Sequence, residues 1–369
     1  MYDARLEKIA HVLVRYSLEV EPGQMVMIRS TTLGEPLVNA VFREILRVGA
    51  HPHVVLTPPD VEEIFFKEAS EEQLRFVSPL TEWLTENFDA FLNIGAAKNT
   101  KALTHIPPER VAIHQQAMAP LSQRFLQRAA EGALRWVYTL FPTPAYAQDA
   151  EMAFTDYVDF VFNACLPDPE DPIGYWQRKA EEQARIIEWL SQRDEIHVVA
   201  PGTDLRLRTK GRVWISADGK ENFPDGEVFT APLEDSVEGH ITFTYPAVYR
   251  GREVVGVQLW FEKGKVVKAT AERGEAFLQE MLNTDEGARR VGEFAIGTND
   301  GIHTFTRNTL FDEKIKGTVH LALGFAYPEC GGTNTSAIHW DMVCDLREGG
   351  RIYADGELFY ENGQFVLEM

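Results

Sequence analysis

The chain predicts an α/β protein in two parts: an N-terminal doubly wound, mostly parallel α/β domain, then an α+β domain rich in short strands. Three observations carry this. Helical and extended patterns alternate up to about residue 190. Short extended runs crowd together from residue 195 onward. And 369 residues are many for one hydrophobic core, so two domains are expected. The boundary is placed between the two textures, giving domains 1–193 and 194–369.

In the first domain, residues 3–20 read as an amphipathic helix, with Leu6, Ile9, Val12, Leu13 and Tyr16 at helical spacing. The turn Glu21-Pro-Gly-Gln24 stops it, and Met25–Ile28 follows as a buried strand. A second helix over 35–48 places Leu37, Ala40, Val41, Ile45 and Leu46 on one face. Val54–Leu56 is the next strand, with helical stretches around 60–77 and a strand at Ala90–Ile94. Helices near 107–130 lead to the strand Leu134–Leu140. Alternation of this kind implies a parallel sheet. Its strand-to-helix turns lack GxGxxG, and no GxxxxGK[ST] occurs, so no nucleotide cofactor is indicated. Strand ends at Asn93–Ala96 can still line a cleft. His51-Pro-His53 has metal-pair spacing but opens a short apolar strand, and is placed at the sheet rim.

Residues 150–193 read as helical, broken at Pro167-Asp-Pro-Glu-Asp-Pro172. From 195 the strands are Ile196–Ala200, Asp204–Arg208 and Val213–Ile215. Asn222–Pro232, with two prolines and a glycine, reads as a rigid loop presenting Glu227. A strand near 239–244, a hairpin over 254–269 turning at Lys263-Gly264, and helices near 274–283 and 285–296 follow. Glu293 would lie in the last of these, where in isolation it reads as an exposed charge.

Composition limits function. With 44% hydrophobic and 25% charged residues the chain is ordinary for a soluble globular protein. A formal net charge of −20 argues against nucleic acid and anionic membranes, both of which need basic patches. Charges in Met1–Lys8 occupy the place of a signal peptide's apolar run, and no stretch approaches the ~20 apolar residues of a membrane span. Cys165, Cys330 and Cys344 are odd in number and widely spaced, which points to reduced thiols and a cytoplasmic location.

The last quarter holds the chemistry. His320 lies in Gly317–Gly324, and His339 with Asp341 in Asn334–Val343; both segments alternate like strands. In a strand, residues i and i+2 share a face, so His339 and Asp341 point the same way, about 7 Å apart. Taken alone, a His-x-Asp pair is a hydrogen-bonded pair. With His320 turned away from Val319, Leu321 and Leu323, a second imidazole can enter the same pocket, and the set becomes a candidate for one divalent ion.

From about 200 to 359 the chain resembles the C-terminal domain of the thermophilic aminopeptidase family, the M29 metallopeptidases. The segments that carry it are Asn222–Thr230, Asp285–Glu293, Asn308–Glu313, His320–Tyr327 and His339-Trp-Asp341, five motifs in the same order. The N-terminal half resembles the family more loosely, in layout and in Glu21-Pro-Gly-Gln24. The resemblance implies metal ligands at Glu227, Glu293, His320, His339 and Asp341, holding two divalent ions (Zn, Co, Mn or Mg) with one carboxylate bridging. It implies an active-site tyrosine at Tyr327 and a proton shuttle at Glu227 or Glu293. The activity implied is removal of N-terminal residues from short peptides by a metal-activated water, in a homodimer. The segment between His320 and His339 is shorter than in the peptidases, which bears on pocket shape. The same architecture also resembles a ring-cleaving dioxygenase with one iron; His320, His339 and Asp341 alone would satisfy its facial triad. Retention of Glu227 and Glu293 favours two metals and hydrolysis.

Overall fold

The computed structural model describes residues 3–249 and 251–366. It divides into two compact units: the residues up to Ile173 with Gly219–Pro224, and Gly174–Asp218 with the residues from Asp225 onward. The division falls at 173/174 rather than at 193/194. The physical reason is helix Pro172–Leu190, whose Ile186 and Leu190 are buried in the core of the second unit. Residues 219–224 return to the first unit, where Asn222–Phe223 adds a fifth strand to its sheet.

That sheet is parallel throughout, in the order His51–Thr57, Met25–Thr31, Ala90–Gly95, Arg135–Leu140, Asn222–Phe223. The predicted helix–strand alternation is borne out. Glu35–Val48 is one helix, ended by Gly49 at φ 90°, where the left-handed backbone suits glycine. The expected 3–20 helix is regular only over Arg5–Val12 and continues to Ser17 as a π turn. A helix at Pro79–Asn87, not expected from the sequence, packs with Pro108–Ala130 over Met27, Phe88 and Phe91. His51 and His53 lie exposed on the edge strand, with His53 edge-on to Phe88. No helix among the described residues is long and apolar enough to cross a membrane.

The second unit contains two larger antiparallel sheets. One has eight strands, from Lys265–Thr270 at one edge to Gln364–Phe365 at the other. The other has five, in the order His339–Asp345, Thr318–Gly324, Val291–Gly297, Glu227–Thr230, Ile215–Ala217. One apolar core takes side chains from both, with Leu278 and Leu282 of helix Glu275–Leu282. Along each strand of the five-stranded sheet the residues alternate. Phe294, Ile296, Val319, Leu321, Leu323, Trp340 and Met342 enter that core. The intervening residues face the other way.

Two local expectations fail, and both concern site residues. Glu293 is on strand Val291–Gly297, not on a helix over 285–296. Asp285 does cap a turn, accepting from the Ala288 N–H at 2.9 Å, but the turn is a single 3-10 turn at Gly287–Arg289. Val291, Phe294 and Ile296 then supply the β-branched and aromatic alternation of a buried strand. Glu227 does not sit on a loop. It opens strand Glu227–Thr230.

Candidate metal centre

Five side chains of ligand type, from four adjacent strands, share the polar face of the five-stranded sheet. Strand register brings them together. Glu227 pairs with Gly297, Glu293 with Ala322, His320 with Ala295, Asp341 with Ala322 and His339 with Gly324. Each thus faces a glycine or alanine across the ladder, and the small neighbours leave room for imidazoles and carboxylates to converge. A bulge between Val291 and Glu293 re-aims Glu293. It is built on Gly292, where a Cβ would come within 2.1 Å of the Phe325 carbonyl. Gly226, at φ 127°, presses the start of the Glu227 strand against Asn299, whose Nδ2 donates to the Asp225 carbonyl at 2.6 Å.

The distances are short. His320 Nε2 lies 3.6 Å from Glu227 Oε2 and 3.5 Å from Glu293 Oε1; His339 Nε2 lies 3.2 Å from Glu293 Oε2 and 3.4 Å from Asp341 Oδ1. Among the described residues, potential ligand atoms fall into three overlapping groups: Glu227, Glu293 and His320; Glu293, His339 and Asp341; Glu313, His320 and Asp341. Glu293 belongs to the first two and Asp341 to the last two; the Glu293 oxygens lie 3.5 Å from His320 and 3.2 Å from His339. His339 is oriented by its Nδ1, 2.9 Å from the Phe325 carbonyl, which leaves Nε2 for the centre.

Among the described residues, Glu227 Oε2, both ring nitrogens of His320, and Asp341 Oδ1 are buried without a hydrogen-bond partner. Buried polar atoms normally find one. Unpartnered oxygens of two carboxylates and an unpartnered imidazole, within the groups above, fit the donor set of a divalent cation.

Electrostatics point the same way. Burial pushes the His320 imidazole down, but Glu293 and Glu227 outweigh it and hold it at about 9. His339 is likewise raised, against burial, by Asp341 and Glu293. Burial raises Asp341 and Glu293, yet the two histidines leave both below their ordinary values. The carboxylates thus stabilise positive charge on both imidazoles, the place that a cation's charge would take.

Two further residues belong to it. Glu313 groups with His320 and Asp341, and burial lifts its carboxyl above the ordinary glutamate value while Lys314 opposes the shift. Lys314 is only 2% exposed, and its Nζ lies 3.0 Å from Glu227 Oε1 and 2.5 Å from Glu313 Oε2. Glu313 ends one of the motifs that carry the family resemblance, which is the signal that could have found it. No pattern in the sequence marked Lys314. Tyr327 lies just beyond strand Thr318–Gly324, its ring centroid 5.2 Å from that of His339.

A family model of thermophilic metalloproteases (M29) matches residues 2–365. Aminopeptidase 2 of Geobacillus stearothermophilus is 30% identical, over 100% of this chain and 99% of its own. Aminopeptidase T of Thermus thermophilus is also 30% identical, over 98% and 96%. The solved structure of wild-type AmpT from Thermus thermophilus superposes with a TM-score of 0.86 at 29% identity, covering 100% of both chains. A 2,5-dihydroxypyridine dioxygenase from Pseudomonas putida superposes with a TM-score of 0.62 at 16% identity, over 98% of this chain and 96% of its own; that likeness shows the fold alone.

Proposed function

The chain belongs to the thermophilic metalloprotease (M29) family and is a metallo-aminopeptidase; we propose that it trims N-terminal residues from short peptides at a dinuclear centre built on Glu227, Glu293, His320, His339 and Asp341. The observation that carries this is the convergence of buried, unpartnered ligand atoms, with Glu293 shared between two ligand groups. A shared carboxylate is the usual bridge between two ions. The donor set of carboxylate oxygens and imidazole nitrogens suits Zn, Co, Mn or Mg.

Divalent ions held there would lower the pKa of a bound water and polarise the scissile carbonyl. The chain's own residues do the rest. Glu293, with an oxygen on each histidine, fixes the spacing of the two halves of the centre. Tyr327 stands beside His339 and is partly exposed as a residue, where its hydroxyl can donate to a developing oxyanion. The leaving amine needs a proton. Glu227 and Glu293 are the shuttle candidates from sequence, but Glu293 is committed at both oxygens and Glu227 Oε1 is held by Lys314. Glu313, beside His320 and Asp341 and outside the expected ligand set, is a third candidate.

The dioxygenase alternative would use His320, His339 and Asp341 alone. Two further carboxylates, Glu227 and Glu293, within ligand distance of the same imidazole support the hydrolytic centre instead. Two associated proposals complete the picture. The protein acts in the cytoplasm, consistent with three buried cysteines that are widely spaced in the sequence. It works as a homodimer, and the exposed Leu80, Trp83 and Leu126 on two neighbouring helices are apolar surface that a second copy would cover.

The test is metal content on protein purified without chelator, together with release of free amino acid from one peptide in unblocked and N-acetylated form. Two ions per chain and trimming of the unblocked peptide alone support the proposal. One iron and no trimming would replace it with the oxygenase.

A further inference from the structure

The five-stranded sheet does not end its polar face at the candidate metal ligands. Val343 follows Asp341 by two residues on strand His339–Asp345, so it shares that face about 7 Å further along. It pairs across the ladder with His320. Beside it opens a pocket of about 300 Å³, counted with its mouth, whose apolar walls are Val343, Phe305, Pro246 and Val248. Asp341 and Glu313 line the same pocket. The cavity therefore begins at the candidate centre and leads away from it between these apolar walls, with Arg307, Thr309 and Asp312 also on its lining.

The walls are held in place. Phe305 stacks on Tyr245, centroids 4.8 Å apart and planes within 4°. The Tyr245 hydroxyl donates to Asp345 Oδ2 at 2.9 Å, tying that stack to the strand that carries Asp341 and Val343. Val248 sits on the short strand Ala247–Tyr249, paired with Arg252–Val254. Two of the charged side chains at the pocket, Arg307 and Asp312, already have partners of their own. Arg307 Nε donates to Glu253 at 3.2 Å, and Asp312 Oδ1 accepts from the Thr306 N–H and hydroxyl at 2.7 and 2.9 Å. A charged ligand group entering here would have to displace one of these pairs, whereas an apolar group only displaces water.

Resting on the aminopeptidase reading, we propose that this pocket is the subsite for the side chain of the substrate's N-terminal residue, and that it selects aliphatic side chains. The chemistry places that residue here. In N-terminal trimming the free amine and the scissile carbonyl belong to one residue, and both are drawn to the centre. Its side chain leaves from the carbon between them, so it must enter whatever cavity opens directly beside the ligands.

The experiment compares kcat/KM on metal-reconstituted full-length protein for tripeptides that differ only in the first residue: Leu, Ala, Phe, Lys and Glu. Wild type is expected to prefer Leu over Ala, Lys and Glu by at least roughly tenfold, the scale on which an apolar pocket discriminates. Val248→Trp narrows the pocket and should cut the Leu-to-Ala ratio by about tenfold. Phe305→Ala widens it and should raise Phe relative to Leu by a similar factor. Both ratios are internal to one preparation, so a partial loss of folded protein cancels, and if one variant fails to fold the other still decides. Wild-type trimming with no aliphatic preference, or with ratios unmoved in a folded variant, would overturn the subsite while leaving the aminopeptidase standing. No release of any N-terminal residue by reconstituted wild type would overturn the aminopeptidase itself.

Discussion

The Nζ of Lys314 lies 3.0 Å from Oε1 of Glu227, and neither side chain has more than a few per cent of its surface exposed. A lysine is almost never buried this fully unless paired. Its position follows from the backbone: Gly297 has no Cβ, and one there would come within 2.2 Å of the Ile315 carbonyl, so the Lys314–Ile315 segment can cross the end of the Glu227 strand's neighbour. Burial lowers the lysine's affinity for its proton, but Glu227, Glu313 and Asp225 more than restore it, and the ammonium is held well above the ordinary lysine value. Lys314 is a built-in cation for the centre, one that orients Glu227 with Oε2 toward His320.

Replacing Lys314 with Met removes that cation from among buried carboxylates. The metal-free protein should lose roughly 3–5 kcal/mol, the cost of leaving a buried charge uncompensated. A divalent ion supplies compensating charge, so the metal-loaded variant should lose less. The expected result is a wider gap in Tm between metal-free and metal-loaded forms than in wild type. Equal losses in both forms would mean that Lys314 is a packing residue with no electrostatic part in the centre.

The two ligand groups that share Glu293 should respond differently to substitution. His339→Ala removes a donor from one group and should leave roughly one ion per chain after dialysis. Glu293→Gln weakens both and should retain less metal than His339→Ala. Each should lower turnover by roughly a thousandfold or more, with a circular dichroism spectrum close to wild type. Elemental analysis and amino-acid release on the same preparations check this. Full metal content or wild-type turnover in either variant would remove that residue from the centre.

Tyr327 is a different case, because it touches no ligand atom except through ring contact with His339. Tyr327→Phe keeps the ring and deletes only the hydroxyl. If that hydroxyl donates to the oxyanion, kcat should fall by about 10²–10³ while KM and metal stoichiometry stay near wild type. A rise in KM at unchanged kcat would instead assign Tyr327 to ground-state binding.

Much of this was legible in the sequence. The period-2 pattern around His320 and His339-Trp-Asp341 read correctly as strands because both have one face in an apolar core, and burial enforces alternation. Glu293 was misplaced onto a helix because Asp285-Glu-Gly-Ala-Arg has helix-start chemistry, which the structure spends on one 3-10 turn. Only the register with Thr318–Gly324, a long-range fact, shows the strand that follows. Lys314 was invisible for a related reason. A lysine next to a glutamate usually marks a solvated surface, and nothing local reports that Gly297 lets this one be covered. The first unit's alternation gave its parallel sheet, but the return of Asn222–Phe223 to that sheet's edge comes from tertiary pairing alone.

Asp300 yields a pH prediction away from the centre. Its Oδ2 accepts from Lys179 Nζ and the Tyr175 hydroxyl, both at 2.8 Å, and its Oδ1 accepts from Lys316 Nζ at 2.5 Å. Burial would raise this carboxyl, but Lys179, itself 3% exposed, with Lys316 and Tyr175 brings it down to about 2, from an ordinary 3.8. The folded state therefore holds the charge at a pH where the unfolded chain has already taken up the proton. By linkage, the stability this contributes is present in full above pH ~4 and is lost as pH falls toward ~2. Asp300→Asn cannot balance Lys179 and Lys316, so at neutral pH it should unfold at lower denaturant than wild type. Its own acid sensitivity should be weaker, because the group that binds the extra proton on unfolding is gone. Denaturant midpoints of both metal-free proteins, measured from pH ~7 down to ~2, should converge below pH ~4. A gap that stays constant across that window would show that Asp300 acts through hydrogen-bond geometry and not through its charge.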